Sequence, residues 1–388
     1  MRALGQIFWE FFRISLCVIG GGHAILAVAD EVSAKRGWTE EGEVVGHLPV
    51  FQMVPGIIAG GTAIYVGRKV AGMPGAAAAF AGVVLPSIIV FSVVSAGYAF
   101  IPLGNESLGA AFSGLRAALT GIIAAMVVRT WKKSVESAFA YAVLLVSLLA
   151  VGPLGLNPAL VIAASAALGV AVKLACGRGS SGGGNCRVKK FQSVFWAAPL
   201  VFLKYGLIAF GGGYVLVPVY IGDFVGSGAP YLQLAEREFA DVMALTQMTP
   251  GPIAVNCATF FGYRLGVAEF GSVLGGVGFA VVATLALLLP GAILVYAALG
   301  SIERFKENVV MQGVLAGVRP VTMALMLNAL WVFAGMSVWT HVDGVFAWHP
   351  LPTALVAVTV WAMLCKRIGV VKLIICCAAV SVAAHIVK

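Results

Sequence analysis

The chain has 388 residues, of which 61% are hydrophobic and only 11% charged, and its mean hydropathy is +1.00. A soluble domain normally carries about a quarter charged residues, so this composition excludes a soluble globular protein and predicts a chain solvated mostly by lipid. The formal net charge of +9 would suggest nucleic-acid binding in a soluble protein. Here the cations lie in short loops such as 129–133 and 187–190, which is the positive-inside pattern of a membrane protein.

Apolar segments follow one another along the whole chain, about six in each half. In the first half they cover roughly residues 5–28, 46–66, 74–100, 112–130, 138–152 and 157–175, and in the second half roughly 194–220, 241–261, 270–299, 312–336, 351–364 and 369–387. A spanning helix needs about 20 residues. The fifth segment of each half is shorter, and a Pro-Gly pair interrupts the second. The predicted fold is an all-α polytopic membrane protein with two homologous halves of about five to six transmembrane segments each.

A glycine- and serine-rich basic stretch at residues 176–193 divides the chain. This composition predicts a flexible linker, and its positive charge places it in the cytoplasm. The predicted domains are therefore an N-terminal repeat, residues 1–175, and a C-terminal repeat, residues 194–388.

The two halves align with each other. The window 52–72 is identical to 247–267 at 8 of 21 positions. Outside that window, three glycines, one proline and one arginine recur in register; the pairs are Gly20-Gly21-Gly22 with Gly211-Gly212-Gly213, Pro86 with Pro290, and Arg116 with Arg319. Internal duplication of this kind is common in secondary transporters.

The charge pattern bears on how the halves are oriented. If the interrupted second segment crosses the bilayer, each half has about six spans and the halves are parallel; if it is re-entrant, each half has about five and the halves are inverted. With the linker inside, inversion also places Lys366 and Arg367 inside and the stretch 340–350 outside, which the positive-inside rule favours. Arg264 argues for the parallel arrangement.

The Pro-Gly motif is the strongest candidate for chemistry. Proline at the first position of a helix, capped by the threonine or glycine before it, starts a helix whose unpaired N–H groups carry a partial positive charge. A helix that starts at mid-membrane offers an anion site without a charged side chain. A packing kink is the alternative, but two copies in register favour function. The candidate binding residues are Gln247, Thr249, Pro250, Gly251, Pro252 and Asn256, with Gln52, Pro55 and Gly56 in the first half.

The triple glycines form a second candidate. Three glycines in a membrane helix either allow close helix contact or unwind the helix beside a substrate, and the sequence does not separate the two. His23 and Tyr214 follow the glycines at the same repeat position, which suggests a polar cavity. The candidate binding residues are Gly20, Gly21, Gly22, His23, Gly211, Gly212, Gly213 and Tyr214, and His23 is also a candidate proton carrier.

Charged residues give a third set of candidates. Arg116 and Arg319 lie a few residues inside apolar runs, where a cation is costly unless it pairs or faces a polar cavity, so both are candidates for holding an anion. Glu238 and Asp241 precede the Pro-Gly motif and are candidates for pairing with a cation or for proton coupling. The seven cysteines show no zinc or redox spacing, and there is no nucleotide-binding loop. No metal, cofactor or enzymatic activity is predicted.

These motifs carry a family resemblance. Residues 210–218, then Glu238-Phe239-Ala240-Asp241, the run 247–256 and Gly262-Tyr263-Arg264 resemble the signature of the chromate transporter family, and both halves carry a version of it. The resemblance implies a secondary transporter in the bacterial inner membrane that exports chromate, uses the proton motive force and meets sulfate as a look-alike substrate. The first half departs from the signature at Val54, Ile57 and Gly60-Gly61, which predicts an asymmetric site.

Other functions stay open at this stage. A transporter of sulfate or another small anion and an anion channel would use the same backbone sites. A membrane enzyme using His23, His47 or His341 is weaker, because no nucleophile accompanies them, and the repeated broken helices argue against a scaffold. The expected partners are an inorganic anion and the lipid bilayer, without nucleic acid, and a homodimer is the assembly to test.

Overall fold

The computed structural model describes residues 2–18, 22–48, 51, 54–98, 106–175, 194–209, 213–299, 308–342, 345–365 and 370–387. The first half contains α1 (Arg2–Cys17), α2 (Gly22–Lys35), α3 (Glu43–Gly46), α4 (Ile58–Tyr98), α5 (Glu106–Ser134), α6 (Ala138–Val151) and α7 (Pro158–Ala175). The second half contains α8 (Val194–Ile208), a 3₁₀ helix (Gly213–Leu216), α9 (Val217–Phe224), α10 (Glu236–Met248), α11 (Ile253–Phe270), α12 (Val273–Ala298), α13 (Val309–Ser337), β1 (Trp339–Val342), β2 (Val345–Trp348), α14 (Pro350–Leu364) and α15 (Val370–Ile386). The two strands pair antiparallel.

The helices confirm the prediction of an all-α polytopic membrane protein. In the described part of the chain, α4, α5, α12 and α13 are long and apolar enough to cross a bilayer, and α6, α7, α14 and α15 include shorter apolar stretches. The first predicted segment of each half, however, is not one helix. Helix α1 ends at Cys17 and α8 ends at Ile208, and new helices begin at Gly22 and Gly213. The described glycine of each triplet, Gly22 or Gly213, therefore stands at the start of a new helix.

Helix α4 is two arms joined at a bend. Ala71 and Gly72 leave the helical conformation, and Gly72 has a φ of 64°. In the second half α11 and α12 are separate helices, and Gly271 between them has a φ of 62°. Glycine adopts this left-handed conformation without the steric penalty of other residues. Each half therefore turns the chain at a left-handed glycine between its Pro-Gly motif and the aligned proline, Pro86 or Pro290.

The interrupted segment of the second half folds back on itself. Near the break, Asn256 Nδ2 lies 3.4 Å from Thr246 O, and farther away Arg264 pairs with Glu238 at 3.0 Å. Residues farther from the break on α10 contact residues farther from the break on α11. The two helices therefore run antiparallel. Helix α10 has 13 residues and is about 20 Å long, shorter than the ~30 Å hydrocarbon core. The Pro-Gly motif is thus the tip of a helical hairpin, as the re-entrant arrangement predicts.

The last helices of each half are exchanged between the halves. Helix α5 of the first half packs against α14 and α15 of the second, and α13 of the second half packs against α6 and α7 of the first. Glycines in register allow the close approach: Gly114 lies against the backbone of Cys377, and Gly317 lies against the backbone of Ser165. Two halves related by a two-fold axis would each pack against the last helices of the other in this way. The direction in which each half crosses the bilayer stays a prediction.

A leucine at Gly114 tests this exchange. A Cβ there would overlap the carbonyl oxygen of Cys377, whereas at Gly109, one and a half turns earlier on α5, it would meet no described atom within 4 Å. Overpacking of a tight contact typically costs about 1–3 kcal/mol. We expect Gly114→Leu to lower the unfolding midpoint of the purified protein and Gly109→Leu to leave it near the wild-type value. Equal midpoints for the two variants would contradict the exchanged packing.

Candidate functional site

The broken helices of the two halves meet in the interior. Gly213, the last of the second triple glycine, lies against the start of α11: a Cβ at Gly213 would be 2.7 Å from Ala254 N and 3.1 Å from Ile253 Cβ. From the other half, the N–H of Gly56 donates to Ala209 O at 3.0 Å. The residues on either side of the second glycine motif therefore contact the Pro-Gly breaks of both halves, although 153 residues separate Gly56 from Ala209.

Each Pro-Gly break also packs against a proline-bearing helix of the opposite half. A Cβ at Gly56 would be 3.0 Å from the Cα of Gly291, which follows Pro290 on α12. A Cβ at Gly251 would overlap Ser87 Oγ, which follows Pro86 on α4. Ser87 and Gly291 occupy the same repeat position. The site therefore lies between the halves and has the same backbone plan on both sides.

The start of α11 differs from the prediction in one respect. Pro252 is the N-cap residue, not the first helical residue, and no side chain caps the helix. Thr249 instead ends α10, where its hydroxyl donates to Leu245 O at 2.9 Å. The prediction that threonine or glycine caps α11 was therefore wrong, because the Thr249 hydroxyl turns back to its own helix.

Without a side-chain cap, α11 keeps its first N–H groups available. The N–H groups of Val255 and Asn256 donate to Pro252 O at 3.0 Å. Those of Ile253 and Ala254 have no backbone or side-chain acceptor among the described residues. Unpaired N–H groups at a helix start carry about half an elementary positive charge together. This end of α11 can bind an anion through backbone alone.

The polar side chains at the tip hold it together. Asn256 is fully buried, and its Nδ2 faces Thr249 Oγ1 at 3.3 Å, Thr246 O at 3.4 Å and Pro250 O at 3.4 Å. Both amide hydrogens therefore have protein acceptors, and the hydroxyl hydrogen of Thr249 has one too. In this conformation, Thr249 and Asn256 fix the tip rather than present donors to a ligand. Gln247 is buried at the end of α10.

The equivalent region of the first half is apolar. A pocket lies beside Gly56, and its side chains are all nonpolar; the lining includes Phe51, Ile57, Phe80, Leu288 and Val295. Gly61 stands at the repeat position of Asn256. Among its described residues, the first-half tip thus has the backbone of a site but not the polar side chains of Thr249 and Asn256, which agrees with the departures in its sequence.

Two ion pairs lie along the second-half hairpin. Arg116 of α5 pairs with Asp241 of α10 at 3.0 Å, with 14% and 8% of the two side chains exposed. Arg264 of α11 pairs with Glu238 of α10, with 32% and 22% exposed. Arg116 therefore has a carboxylate partner from the opposite half. Arg319 is exposed and forms no ion pair with a described residue.

The first half repeats only one of these pairs. Lys69 pairs with Glu43, and these residues align with Arg264 and Glu238. Burial opposes ionisation of Glu43, but hydrogen bonds from Lys69 and Tyr65 outweigh it and lower its pKa to about 2. This pair is therefore charged at neutral pH. Gly46 stands at the position of Asp241, so no carboxylate there matches Arg319.

Some predicted residues cannot be placed. Gly20, Gly21, Gln52, Gly211 and Gly212 lie outside the described residues. Gly22 begins α2, with His23 following it, and Tyr214 lies in the 3₁₀ helix; only the backbone of His23 and Tyr214 is described. Within the described ranges, no three His, Cys, Asp or Glu residues are grouped as metal ligands.

The structure adds two residues that the motifs did not single out. Ser87 and Gly291 contact the two tips. The only sequence signal for them was the alignment of the prolines that precede them, Pro86 and Pro290.

Comparison with known proteins gives consistent matches. The family described as Chromate transporter matches residues 5–170 and 196–382. A chromate transport protein of Cupriavidus metallidurans is 26% identical over 385 residues, covering 94% of this chain and 88% of that protein. A chromate transport protein of Pseudomonas aeruginosa is 28% identical over 348 residues, covering 81% and 78%. A Bacillus subtilis transporter, YwrA, is 30% identical over 132 residues, which cover 34% of this chain and 67% of YwrA. No solved structure matches the chain.

Proposed function

The chain belongs to the chromate transporter family, and from this premise we propose that it exports a chromate-type oxyanion across the bacterial inner membrane, driven by an ion gradient. It is a multi-pass membrane transporter and not an enzyme. Relatives from Cupriavidus metallidurans and Pseudomonas aeruginosa that are named for chromate transport support chromate as the substrate. Sulfate has the same tetrahedral shape and charge and is the competitor to test.

The observation that carries the proposal is the meeting of Gly213 with the start of α11. In our proposal the oxyanion accepts hydrogen bonds from the N–H groups of Ile253 and Ala254. These donors point along the helix axis at the positive end of the dipole, so the anion is stabilised without desolvating a charged side chain. The close approach of Gly213 to Ala254 N leaves no room for a side chain at that position. The triple glycine would thus keep the helix start open to the ligand.

The two halves would contribute unequally to anion binding. The tip at Pro55 and Gly56 has the same backbone plan, but nonpolar side chains surround it. We assign the main anion contacts to the second half and a supporting role to the first. The linker, residues 176–193, would connect the repeats on the cytoplasmic side.

Proton coupling would act on the ion pairs of α10. Asp241 attaches α10 to α5 through Arg116, and Glu238 attaches it to α11 through Arg264. A proton that neutralises either carboxylate would weaken the corresponding attachment and free the hairpin to move. His23, beside the first triple glycine, is the third candidate for carrying this proton.

The test is chromate uptake into everted membrane vesicles that contain the full chain. Uptake that an uncoupler abolishes and that excess sulfate reduces is the expected result, because everted vesicles report export as accumulation. Vesicles without the protein serve as the control. Downhill flux insensitive to the uncoupler would instead indicate a channel. Folded protein with no chromate flux would overturn chromate as the substrate and direct the assay to sulfate.

Arg319 offers a sharper test of the anion path. It is exposed without a described acidic partner, whereas Lys204, which is also exposed, lies near Asp223. We expect Arg319→Ala to raise the chromate concentration that half-saturates uptake several-fold, and Lys204→Ala to change it little, because an unpaired cation attracts an approaching anion more strongly. Equal effects of the two substitutions would remove Arg319 from the path.

A further inference from the structure

A tyrosine hydroxyl is buried without a partner beside the second-half hairpin. Tyr98 is the last residue of α4 and is 4% exposed, and its hydroxyl meets no hydrogen-bond partner in the described part of the chain. Its ring packs edge-on against Phe260 of α11, with the ring centroids 6.0 Å apart. A buried polar group left without a partner costs about 1–3 kcal/mol. The Tyr98 hydroxyl is therefore ready to take a partner when the groups around it change.

Both ion pairs of the hairpin lie near this hydroxyl. Phe260, which contacts the ring, is one helical turn before Arg264 on the same face of α11. Four charged groups act on Tyr98, two from α10, one from α11 and one from α5: Asp241, Glu238, Arg264 and Arg116. Arginine can only donate a hydrogen bond, whereas a carboxylate accepts and a phenol does both. Tyr98 is therefore placed to donate to either carboxylate, and to accept from either one when that carboxylate carries a proton.

The two carboxylates differ in how far water can reach them. The side chain of Glu238 is 22% exposed, and that of Asp241 is 8% exposed. Each is paired with an arginine, but a carboxylate has about four acceptor sites, so an ion pair leaves room for another hydrogen bond. A proton from solvent therefore reaches Glu238 more readily than Asp241. A proton that arrives at Asp241 needs a route through the protein, and the Tyr98 hydroxyl lies near both residues.

We propose that Tyr98 relays the coupling proton from Glu238 to Asp241. This inference rests on the proposed function, in which a proton on either carboxylate weakens one attachment of α10. Protonated Glu238 donates to the phenol oxygen of Tyr98, and the Tyr98 hydroxyl donates to Asp241. As the Glu238 O–H bond breaks, its proton bonds to the Tyr98 oxygen, whose own proton passes to Asp241. Glu238 becomes a carboxylate, Asp241 becomes a carboxylic acid, and Tyr98 ends neutral as it began.

The relay would open the two attachments of α10 in turn. While the proton is on Glu238, the pair with Arg264 is weakened and the pair between Asp241 and Arg116 holds α10 against α5. After the transfer, Glu238 pairs with Arg264 again and the attachment to α5 is weakened instead. One proton therefore never releases the hairpin from both neighbours at once. Because Tyr98 belongs to the first half, that half would control when the second-half hairpin moves.

The direct test is time-resolved infrared spectroscopy of the purified full-length protein after a drop in pH, without oxyanion. The band of the protonated Asp241 carboxyl group is identified by its shift in Asp241→Glu, which keeps a carboxylate for the ion pair. We expect Tyr98→Phe to slow the appearance of this band about a hundredfold, the lower end of what a positioned proton-transfer group contributes. Its final amplitude in acid should not change, because the substitution removes the route and not the acceptor.

The matched control is Tyr220→Phe. Tyr220 is 0% exposed, its hydroxyl is also unpartnered among the described residues, and its ring also packs on α11, 5.1 Å from the ring of Phe261. None of the four ion-pair groups acts on it. Both variants keep the ring and should unfold at similar midpoints, but Tyr220→Phe should show the wild-type rate for the Asp241 band. Equal rates for the two variants, or a folded wild-type protein that never shows a protonated Asp241, would overturn the relay.

Chromate flux separates this inference from the proposed function. In everted vesicles, we expect Tyr98→Phe to lower the maximal rate of uncoupler-sensitive uptake and to leave the half-saturating chromate concentration unchanged, because Tyr98 acts on the carboxylates and not on the anion. Equal maximal rates for Tyr98→Phe and Tyr220→Phe would overturn the relay while the transport function stands. A slowed Asp241 band in a protein that moves no chromate would preserve the relay and overturn chromate transport.

Discussion

Gly251→Ala is expected to abolish transport while the protein still inserts into the membrane. Gly251 has a φ of 104°, and an alanine Cβ there would overlap Ser87 Oγ. Backbone strain of this kind costs about 1–3 kcal/mol, roughly fivefold to 150-fold in the population of the native tip. The overlap with Ser87 adds to this cost, because it would displace the tip from α4. Because the start of α11 follows directly, the proposed anion donors would be displaced.

Gly271→Ala is the control for backbone strain alone. Gly271 also has positive φ, 62°, but a Cβ there meets no described atom within 4 Å. We expect this variant to lose a little stability and to retain transport. A second substitution, Ser87→Gly, should recover the part of the unfolding midpoint that the overlap costs in Gly251→Ala, because it removes the hydroxyl that the alanine Cβ would meet. Transport by Gly251→Ala at the level of Gly271→Ala would contradict the assignment.

Removing one partner of the Arg116–Asp241 pair should be the most destabilising charge substitution in the second-half hairpin. Both side chains are largely buried, and a buried charge left alone typically costs about 3–5 kcal/mol. We expect Arg116→Gln and Asp241→Asn each to lower the unfolding midpoint strongly, and the double variant to be more stable than either. A double-mutant cycle in detergent measures this coupling.

The Arg264–Glu238 pair supplies the comparison. It is more exposed, and partly solvated pairs usually contribute about 0–1 kcal/mol. Arg264→Gln and Glu238→Gln should therefore cost little and combine almost additively. If the Arg116 and Asp241 substitutions also combine additively, the pair does not hold α10 against α5, and the proposed release of the hairpin by a proton loses its basis.

The sequence predicted the features that depend on local chemistry. Proline and glycine restrict or free the backbone wherever they occur, so the break at Pro250-Gly251 was visible, whereas the triple glycines were left open between packing and unwinding; the repeat identified Arg116 and Arg319. The polar tip of the second half and the apolar tip of the first followed from Asn256 and Gly61. These predictions required only neighbours along the chain.

The remaining features depend on contacts between distant residues. Asp241 is 125 residues from Arg116, and no local pattern indicates that they pair. Ser87 is one serine among several on an apolar helix until Gly251 packs against it. The capping prediction for α11 failed because the Thr249 hydroxyl accepts from Asn256 Nδ2 rather than from an N–H of α11, and it donates to the carbonyl of Leu245 in its own helix. Sequence indicates which groups need partners, and the tertiary structure selects them.

The exchanged helices affect how the protein is made. When translation reaches the linker, α5 has been synthesised, but the helices that cover its Gly114 face, α14 and α15, follow about 160 residues later. The N-terminal repeat therefore leaves the ribosome unfinished and is expected to need a membrane chaperone until the C-terminus arrives. Truncated products would expose this glycine face and become targets for quality-control proteases. Cleavage within residues 176–193 after assembly should, by contrast, leave the two fragments associated through the exchanged helices.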